Sequence, residues 1–444
     1  MKKYLIMVCS VLMVFTLVGL IGCTSSTSTS APSPSVLSTS TPSASSAVVP
    51  DAASPAALGE SKTLTIGIAT PLTGTMAFLG NQISNTAQMA INDQNAKGGL
   101  TIGGQNYTLV PLIRDTKGDA ATGKSIGQEM ISDGVKIIIG PFQADAVAIQ
   151  SDIEANKVLT FFVDFLTPDM TGPTKLYSFA DSFPDIQMTY KQLYYIQKTY
   201  PEAKTVFSIN ADTPIAPSWI AATTEAANML GYEYLGSENI PVTTTDFTSV
   251  ITRILSHNPD ILDTGGMGGD MGGLTAQMIK QLGQAGYTGI IMTPAAAPEE
   301  LMEQVVPAET LDKVVTTYIN VNGPVVDSKY ADVMNRFQSN YNQQGTDIVS
   351  SYYNNIAALF EFLNTQDSLD SAVWMQGFAA YKWNGIMGFQ SQWVQLQGAV
   401  INRHALNNQW VTHYKDGKPV TDFTVPLPTQ LFLDANGNPI VVSQ

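Results

Sequence analysis

From Thr63 onward the apolar positions alternate between two spacings. Leu64-Thr65-Ile66-Gly67-Ile68 steps in twos, the period of a strand. A Pro/Gly-punctuated loop, Thr70–Thr75, follows. Ile83, Ala87, Ala90 and Ile91 then recur at helical spacing until Lys97-Gly98-Gly99 ends the run. Strand, loop and helix make the first half of a βαβ crossover, and the unit repeats. YTLVPLIR (107–114) reads as a second strand, with Pro111 marking an edge or a bulge. Residues 119–134 read as a helix closed by Gly134. Val135–Ile139 is almost wholly apolar and ends in Gly140-Pro141, as buried parallel strands do. A helix over Ala144–Asn156 and a strand at Leu159–Val163 complete four units. They predict a doubly wound parallel α/β sheet.

A second series has the same texture. Leu176–Pro184 reads as a crossing segment. It is followed by a helix near Asp185–Tyr200, a strand at Thr205–Ile209, a helix near Pro217–Leu230 and a strand at Tyr232–Ile240. A helix at Phe247–His257 and a strand at Ile261–Thr264 lead into the Gly-rich run Gly265–Gly273. A further helix and the strand Gly289–Met292 precede Thr293-Pro294-Ala295. Val314–Asn320 reads as a second crossing, and the helix Asp347–Leu363 as a return to the first lobe. From about Gly385 the pattern is strand-rich. The expected division is a first lobe at 61–180 and 317–385, a second lobe at 181–316 and 386–430, and a C-terminal tail at 431–444. In open α/β sheets ligands bind beyond the carboxyl ends of the strands, so the loops there are the first place to seek a site.

Upstream of the folded pattern the texture changes. Lys2 and Lys3 precede an apolar stretch, Tyr4–Ile21, which reads as an export signal over 1–22. A retained membrane anchor is the competing reading, because the stretch approaches spanning length. Leu20-Ile21-Gly22-Cys23 resembles the bacterial lipobox, which favours cleavage and acylation at Cys23. Residues 24–60 are mostly Ser, Thr, Ala and Pro without Lys or Arg, a composition that cannot bury enough apolar surface to order itself. As a flexible tether this segment would span on the order of 30 Å. The expected location is the outer face of the cytoplasmic membrane or the periplasm.

Composition narrows the chemistry. The chain has 444 residues and a formal net charge of −15, which argues against a nucleic-acid partner. Its two cysteines, Cys9 and Cys23, both precede the folded pattern, so no disulfide, thiol nucleophile or Cys-based zinc site is expected within that pattern. His257, His404 and His413 form no metal-ligand pattern, and no metal or cofactor is expected. Gly118–Ser125 matches a phosphate-binding P-loop, and Gly123–Gly127 matches G-x-S-x-G. Both are read as coincidence: an exported chain meets little nucleotide triphosphate, and Ser125 is predicted mid-helix rather than at a sharp strand-to-helix turn.

The folded pattern resembles the type I periplasmic binding proteins of ABC transporters, in the Leu/Ile/Val-binding branch. The resemblance rests on IGIATPLTG (66–74), AINDQNAKGGL (90–100), RDTKGDAATGKSIGQEMISDGVKIIIGP (114–141), NNIAALFEFL (354–363) and IMGFQSQW (386–393). It implies two α/β lobes joined by three hinge crossings, with a small molecule bound in the cleft between them and delivered to an ABC import permease. It implies binding rather than catalysis. A lipid-anchored sensor on the same scaffold and a secreted hydrolase are the alternatives.

Carrying the family's site over by position exposes a mismatch. The Ser that receives a ligand carboxylate corresponds to Ala144, the usual Thr to Leu166, the ammonium-binding acid to Ala295, and an aromatic to Met267. Losing those groups removes several charge-assisted hydrogen bonds to an α-amino acid, so a simple branched-chain amino acid is not the expected ligand. Thr73, Phe78, Gln143, Asp145, Asp164, Phe165, Asp212, Met267 and Asp270 are the candidate cleft residues. They suit an amphipathic, aromatic, amide-like or cationic molecule better than an anion. Asp145 has a competing reading as a favourable charge at a helix N-terminus, and the Gly265–Gly273 run one as a permissive loop.

Overall fold

The computed structural model describes residues 61–426 and 432–433, apart from 75, 143, 164–173, 182–184, 214–215, 268–272, 294–298, 397–403 and 407. The chain begins with β1 (Lys62–Thr70), α1 (Ala77–Ala96), β2 (Leu100–Ile102), β3 (Gln105–Asp115), α2 (Ala120–Ser132), β4 (Ile137–Phe142), α3 (Ala144–Asn156), β5 (Leu159–Val163) and β6 (Ser178–Ala180). These strands form a parallel sheet in the order β6-β5-β4-β1-β3, with β2 antiparallel at the edge. Pro111 pairs with Ile66 of β1, and β2 meets β3 only at residues 105–107. The missing N–H of Pro111 therefore costs no ladder bond on the outer side. The β2–β3 hairpin turns at Gly103-Gly104, both at positive φ (+56° and +77°), as a tight two-residue turn requires.

The second series is α4 (Asp185–Thr199), β7 (Thr205–Ala211), α5 (Ala216–Leu230), β8 (Glu233–Ile240), α6 (Thr248–His257) and β9 (Ile261–Asp263). A single 3₁₀ turn, Gly265–Met267, leads on to α7 (Leu274–Gln284), β10 (Ile290–Thr293), α8 (Glu299–Val305), α9 (Ala308–Leu311) and β11 (Val314–Thr316). The order β11-β10-β9-β7-β8 is parallel throughout. The chain then returns through α10 (Ser328–Tyr341), α11 (Asp347–Leu363), α12 (Ser371–Ala379), β12 (Lys382–Trp383), β13 (Ser391–Leu396) and β14 (His404–Ala405), and continues to β15 (Trp410–Lys415), β16 (Lys418–Thr424) and β17 (Phe432–Leu433).

Two expectations need correction. Residues 386–430 were expected in the second lobe, but only β15 and β16 join the second sheet. β13 and β14 extend the first sheet beyond β6, where Trp393 packs on Phe161, Phe179 and Phe378. The tail expected at 431–444 contains β17, which pairs with β13. The chain thus passes between sheets after β6, after β11 and after β14, and once more between β16 and β17.

Each lobe has its own core. The first centres on Ile66, Ile68, Ile138 and Phe161 under Ile83 of α1 and Leu359 of α11. The second centres on Phe207, Leu262, Ile279 and Ile291. A further cluster lies at the crossings and is rich in methionine: Met89, Met188, Met334 and Met387 pack with Ile319 and Trp410.

Candidate functional site

β1, β4, β5 and β6 run parallel, so their carboxyl ends share one edge of the first sheet. β6 runs directly from that edge into the first crossing. β11 likewise runs from the corresponding edge of the second sheet into the next crossing. Both edges therefore meet the crossings, where the topology rule places a ligand.

On the first edge four buried polar atoms stand without a hydrogen-bond partner among the described residues: Thr70 Oγ1, Asp145 Oδ2, Asp181 Oδ2 and Tyr352 Oη. Thr70 ends β1, Asp145 opens α3 after β4, Asp181 follows β6, and Tyr352 projects from α11. Asp145 Oδ1 accepts from the N–H groups of Phe142 (2.7 Å) and Ala146 (3.0 Å). Burial pushes its carboxyl up to about 6, against the pull of Thr116 and those two N–H groups. Asp181 is fully buried and its carboxyl stands well above the usual range, although Asn355 Nδ2 donates to Oδ1. The Tyr352 hydroxyl is raised too, first by burial and then by the charges of Asp181 and Asp145. An unpaired buried polar atom normally costs about 1–3 kcal/mol, and this edge gathers four. A group that donates hydrogen bonds or carries positive charge would relieve all of them.

The burial of Asp145 depends on α2. A Cβ at Gly123 would lie 2.2 Å from the Asp145 Cβ, and one at Gly127 would lie 1.3 Å from Ile149 Cδ1. The glycines of the G-K-S-I-G run thus let α2 lie against α3. Asp119 caps α2 by accepting from the Thr122 N–H (2.8 Å), which puts Gly123 in the first helical turns and Ser125 well inside. Helix packing accounts for both tempting motifs.

On the second edge Asn210 Oδ1 and Thr293 Oγ1 also lack a partner among the described residues, but the acid is fully provided for. Asp263 ends β9 and is wholly buried. It accepts from Ser208 Oγ (2.9 Å), Thr223 Oγ1 (2.7 Å), Trp219 Nε1 (3.0 Å) and the Gly265 N–H (2.9 Å). Burial raises its carboxyl despite these donors. A Cβ at Gly265 would sit 1.7 Å from the Trp219 ring, and one at Gly266 would sit 1.8 Å from Asn210 Oδ1. The first two glycines of the Gly-rich run therefore answer to close approach by the protein's own side chains.

The sequence-derived candidates fall in several places. Asp145 belongs to the buried group. The Thr73 hydroxyl is engaged by Asp115 Oδ2 (2.6 Å). Burial pushes Asp115 up, but its hydrogen bonds from Thr73, Lys117 and Leu72 outweigh that and hold it below the usual range. Phe78 packs half-buried against the first core, and Ala144 is exposed at the start of α3. Met267 is buried in the second core. Asp212 is exposed at the end of β7, where its N–H donates to the Ile240 carbonyl (2.7 Å). Gln143, Asp164, Phe165, Leu166, Asp270, Ala295 and Cys23 lie outside the described residues. Sequence reasoning missed Thr70, Asp181 and Tyr352. An acid placed directly after the short strand Ser178-Phe179-Ala180 was the available signal for Asp181. Tyr352 comes to the same edge from 171 positions further on and gave none.

Comparison with known proteins fits this architecture. A family model described as periplasmic binding protein matches residues 63–418. Leu/Ile/Val-binding protein homolog 2 of Brucella abortus is 28% identical over 217 residues, covering 49% of this chain and 57% of the relative. Leu/Ile/Val-binding protein BraC3 of Rhizobium johnstonii is 28% identical over 220 residues, covering 49% and 58%. The matched stretch thus spans little more than half the length of these curated relatives. Among solved structures, the branched-chain amino acid transporter substrate-binding protein LivJ of Streptococcus pneumoniae, in complex with isoleucine, superimposes with a TM-score of 0.63 at 17% identity. It covers 82% of this chain and 100% of that one. A solute-binding protein of an ABC transporter from Rhodopseudomonas palustris, in complex with 3,4-dihydroxybenzoic acid, gives a TM-score of 0.63 at 19% identity, covering 84% and 98%. Two parallel-sheet lobes, repeated crossings and a family match over most of the folded residues lead to one assignment: the chain belongs to the periplasmic binding protein family, in the type I, Leu/Ile/Val-binding branch.

Proposed function

We propose that the protein is an extracytoplasmic solute-binding lipoprotein. It is anchored through Cys23, captures a small molecule between its lobes and delivers it to an ABC import permease. Its ligand carries hydrogen-bond donors or positive charge and is not a simple branched-chain amino acid. The observation that carries this reading is the group of unpartnered buried atoms on the first edge, Asp145 Oδ2, Asp181 Oδ2 and Tyr352 Oη. Two carboxyls held above their usual range repel an anion once ionised and welcome an amine, amide or guanidine. The replacement of the amino-acid clamp by Ala144, Leu166 and Ala295 supports the same conclusion.

A thermal-shift screen of the purified full chain against amines, amides and branched-chain amino acids tests it. A ligand present at a hundredfold over its dissociation constant should stabilise the protein by about 2.7 kcal/mol. Hits are expected among amines and amides, and are expected to vanish in the Asp145→Asn/Asp181→Asn double variant. Tight leucine binding with no response to amines or amides would overturn the proposal.

A further inference from the structure

A second cavity lies away from the edge just described. It encloses about 340 Å³, within the range of small-molecule sites. None of Thr70, Asp145, Asp181 or Tyr352 lines it. One wall is α10, which is moored to α1 of the first lobe by the Arg336–Asp93 ion pair (2.8 Å) and by Tyr341 Oη donating to the Asn85 carbonyl (3.0 Å). The opposite wall is the start of β16 in the second sheet, with Lys418 and Pro419. The crossing after β11 supplies the third side through Asn320, Val321 and Asn322.

The lining is dominated by neutral carboxamides. Asn320 is spent on the fold: its Nδ2 donates to the Pro419 carbonyl (2.8 Å), and its Oδ1 accepts from the Asn322 N–H (3.0 Å). That pins the crossing to β16 and fixes the shape of the wall. Asn322, Asn335 and Gln338 are exposed at the rim of the same cavity, and their carboxamides make no hydrogen bond to another described residue, which leaves them open to a ligand or to water. Each presents one acceptor and two donors. Val321, Met334 and Pro419 supply apolar surface between them. The charged lining residues, Glu303 and Lys418, are paired with each other, so the cavity presents no unpaired charge.

We infer that this interlobe cavity is a second binding site, for a neutral polyhydroxylated or acetamido-bearing molecule of monosaccharide size. Hydroxyls that both donate and accept match carboxamides open to solvent, and the apolar surface of Val321, Met334 and Pro419 suits the C–H face of a ring. An ionic ligand would leave its charge without a counter-charge there. The site is independent of the ligand proposed for the first edge.

Isothermal titration of the full chain with glucose, myo-inositol and N-acetylglucosamine, at millimolar concentration, tests the inference. At least one should bind. The Asn335→Leu/Gln338→Leu double variant changes two exposed positions of α10 and should weaken binding at least tenfold, while Asp145→Asn should leave it unchanged. Asn322→Asp, which adds a charge without changing size, should weaken it as well and serves if the double variant does not fold. Absence of binding by all three probes would overturn the inference. So would binding that survives the α10 and Asn322 changes, or that is lost with Asp145→Asn.

Discussion

Asp263 in the second lobe and Asp181 in the first are both fully buried at the carboxyl ends of strands, and they are provisioned in opposite ways. Asp263 receives two hydroxyls, an indole N–H and a backbone N–H, which leaves its oxygens fully engaged. Asp181 receives Asn355 on one oxygen and nothing among the described residues on the other. Asp145, nearby on the same edge, repeats the pattern with two backbone donors on one oxygen and none on the other. A buried carboxylate ringed by donors is part of the scaffold: it ties β7, β9 and α5 together and sets the position of the Gly-rich turn. A buried carboxylate with an idle oxygen stays costly until something else arrives. The contrast is between these strand-end acids rather than between whole lobes: in the second lobe Asn210 Oδ1 and Thr293 Oγ1 also lack a partner among the described residues.

The largest effect should come from breaking the completed side. Asp263→Ala strands two hydroxyls and an indole N–H in a dry interior, and should cost about 3–5 kcal/mol of stability by urea denaturation. A loss below about 1 kcal/mol would erase the contrast between Asp263 and the two acids of the first edge.

The next effect has the opposite sign. The folded value of Asp145, about 6, stands above its usual 3.8, so the native state holds the extra proton between those pH values. The stability linked to that proton is fully present below about pH 4 and is lost as the pH rises through 6. Asp145→Asn keeps the acceptor for Phe142 and Ala146 but removes the titration. It should therefore raise stability at pH 7.5 by roughly 1–3 kcal/mol, with no gain at pH 4. Denaturation midpoints at the two pH values check this, and equal gains at both would remove the charge from the explanation.

The smallest effect should be that of Tyr352→Phe. Deleting a hydroxyl that has no partner among the described residues removes its burial cost, and should raise stability by about 1 kcal/mol, while ligand affinity falls. A loss of several kcal/mol would mean that the hydroxyl is structural and belongs with Asp263.

How much of this could be read beforehand depended on the range of the cause. The βα units at 63–163 and 185–293 were legible because each strand is a short, largely apolar run, several of them closed by Gly or Pro as at Gly140-Pro141 and Thr293-Pro294, and each helix carries its own period. β12, β14 and β17 have two residues each, too few to show any period. Each pairs with β13, and β14 also pairs with β6; β13 itself carries Trp393, which meets Phe161 and Phe179 more than 200 positions away. Among site residues, Asp145 stood out as an acid at a helix start after a buried strand. Its depth of burial was invisible, because that is set by Gly123 on a different helix. Asp181 and Tyr352 become neighbours only after the first crossing and the return of α11.

The methionines gathered at the crossings bear on how tightly the seam between the lobes is keyed together. Met89, Met188, Met334 and Met387 come from α1, α4, α10 and the segment before β13, and meet where the chain changes lobes. An unbranched thioether has several rotamers of similar energy and a polarisable tip, so this layer can change shape while keeping its contacts. The seam is thereby buried yet forgiving: small shifts of one element against another cost little there, because flexible side chains can refill the gaps.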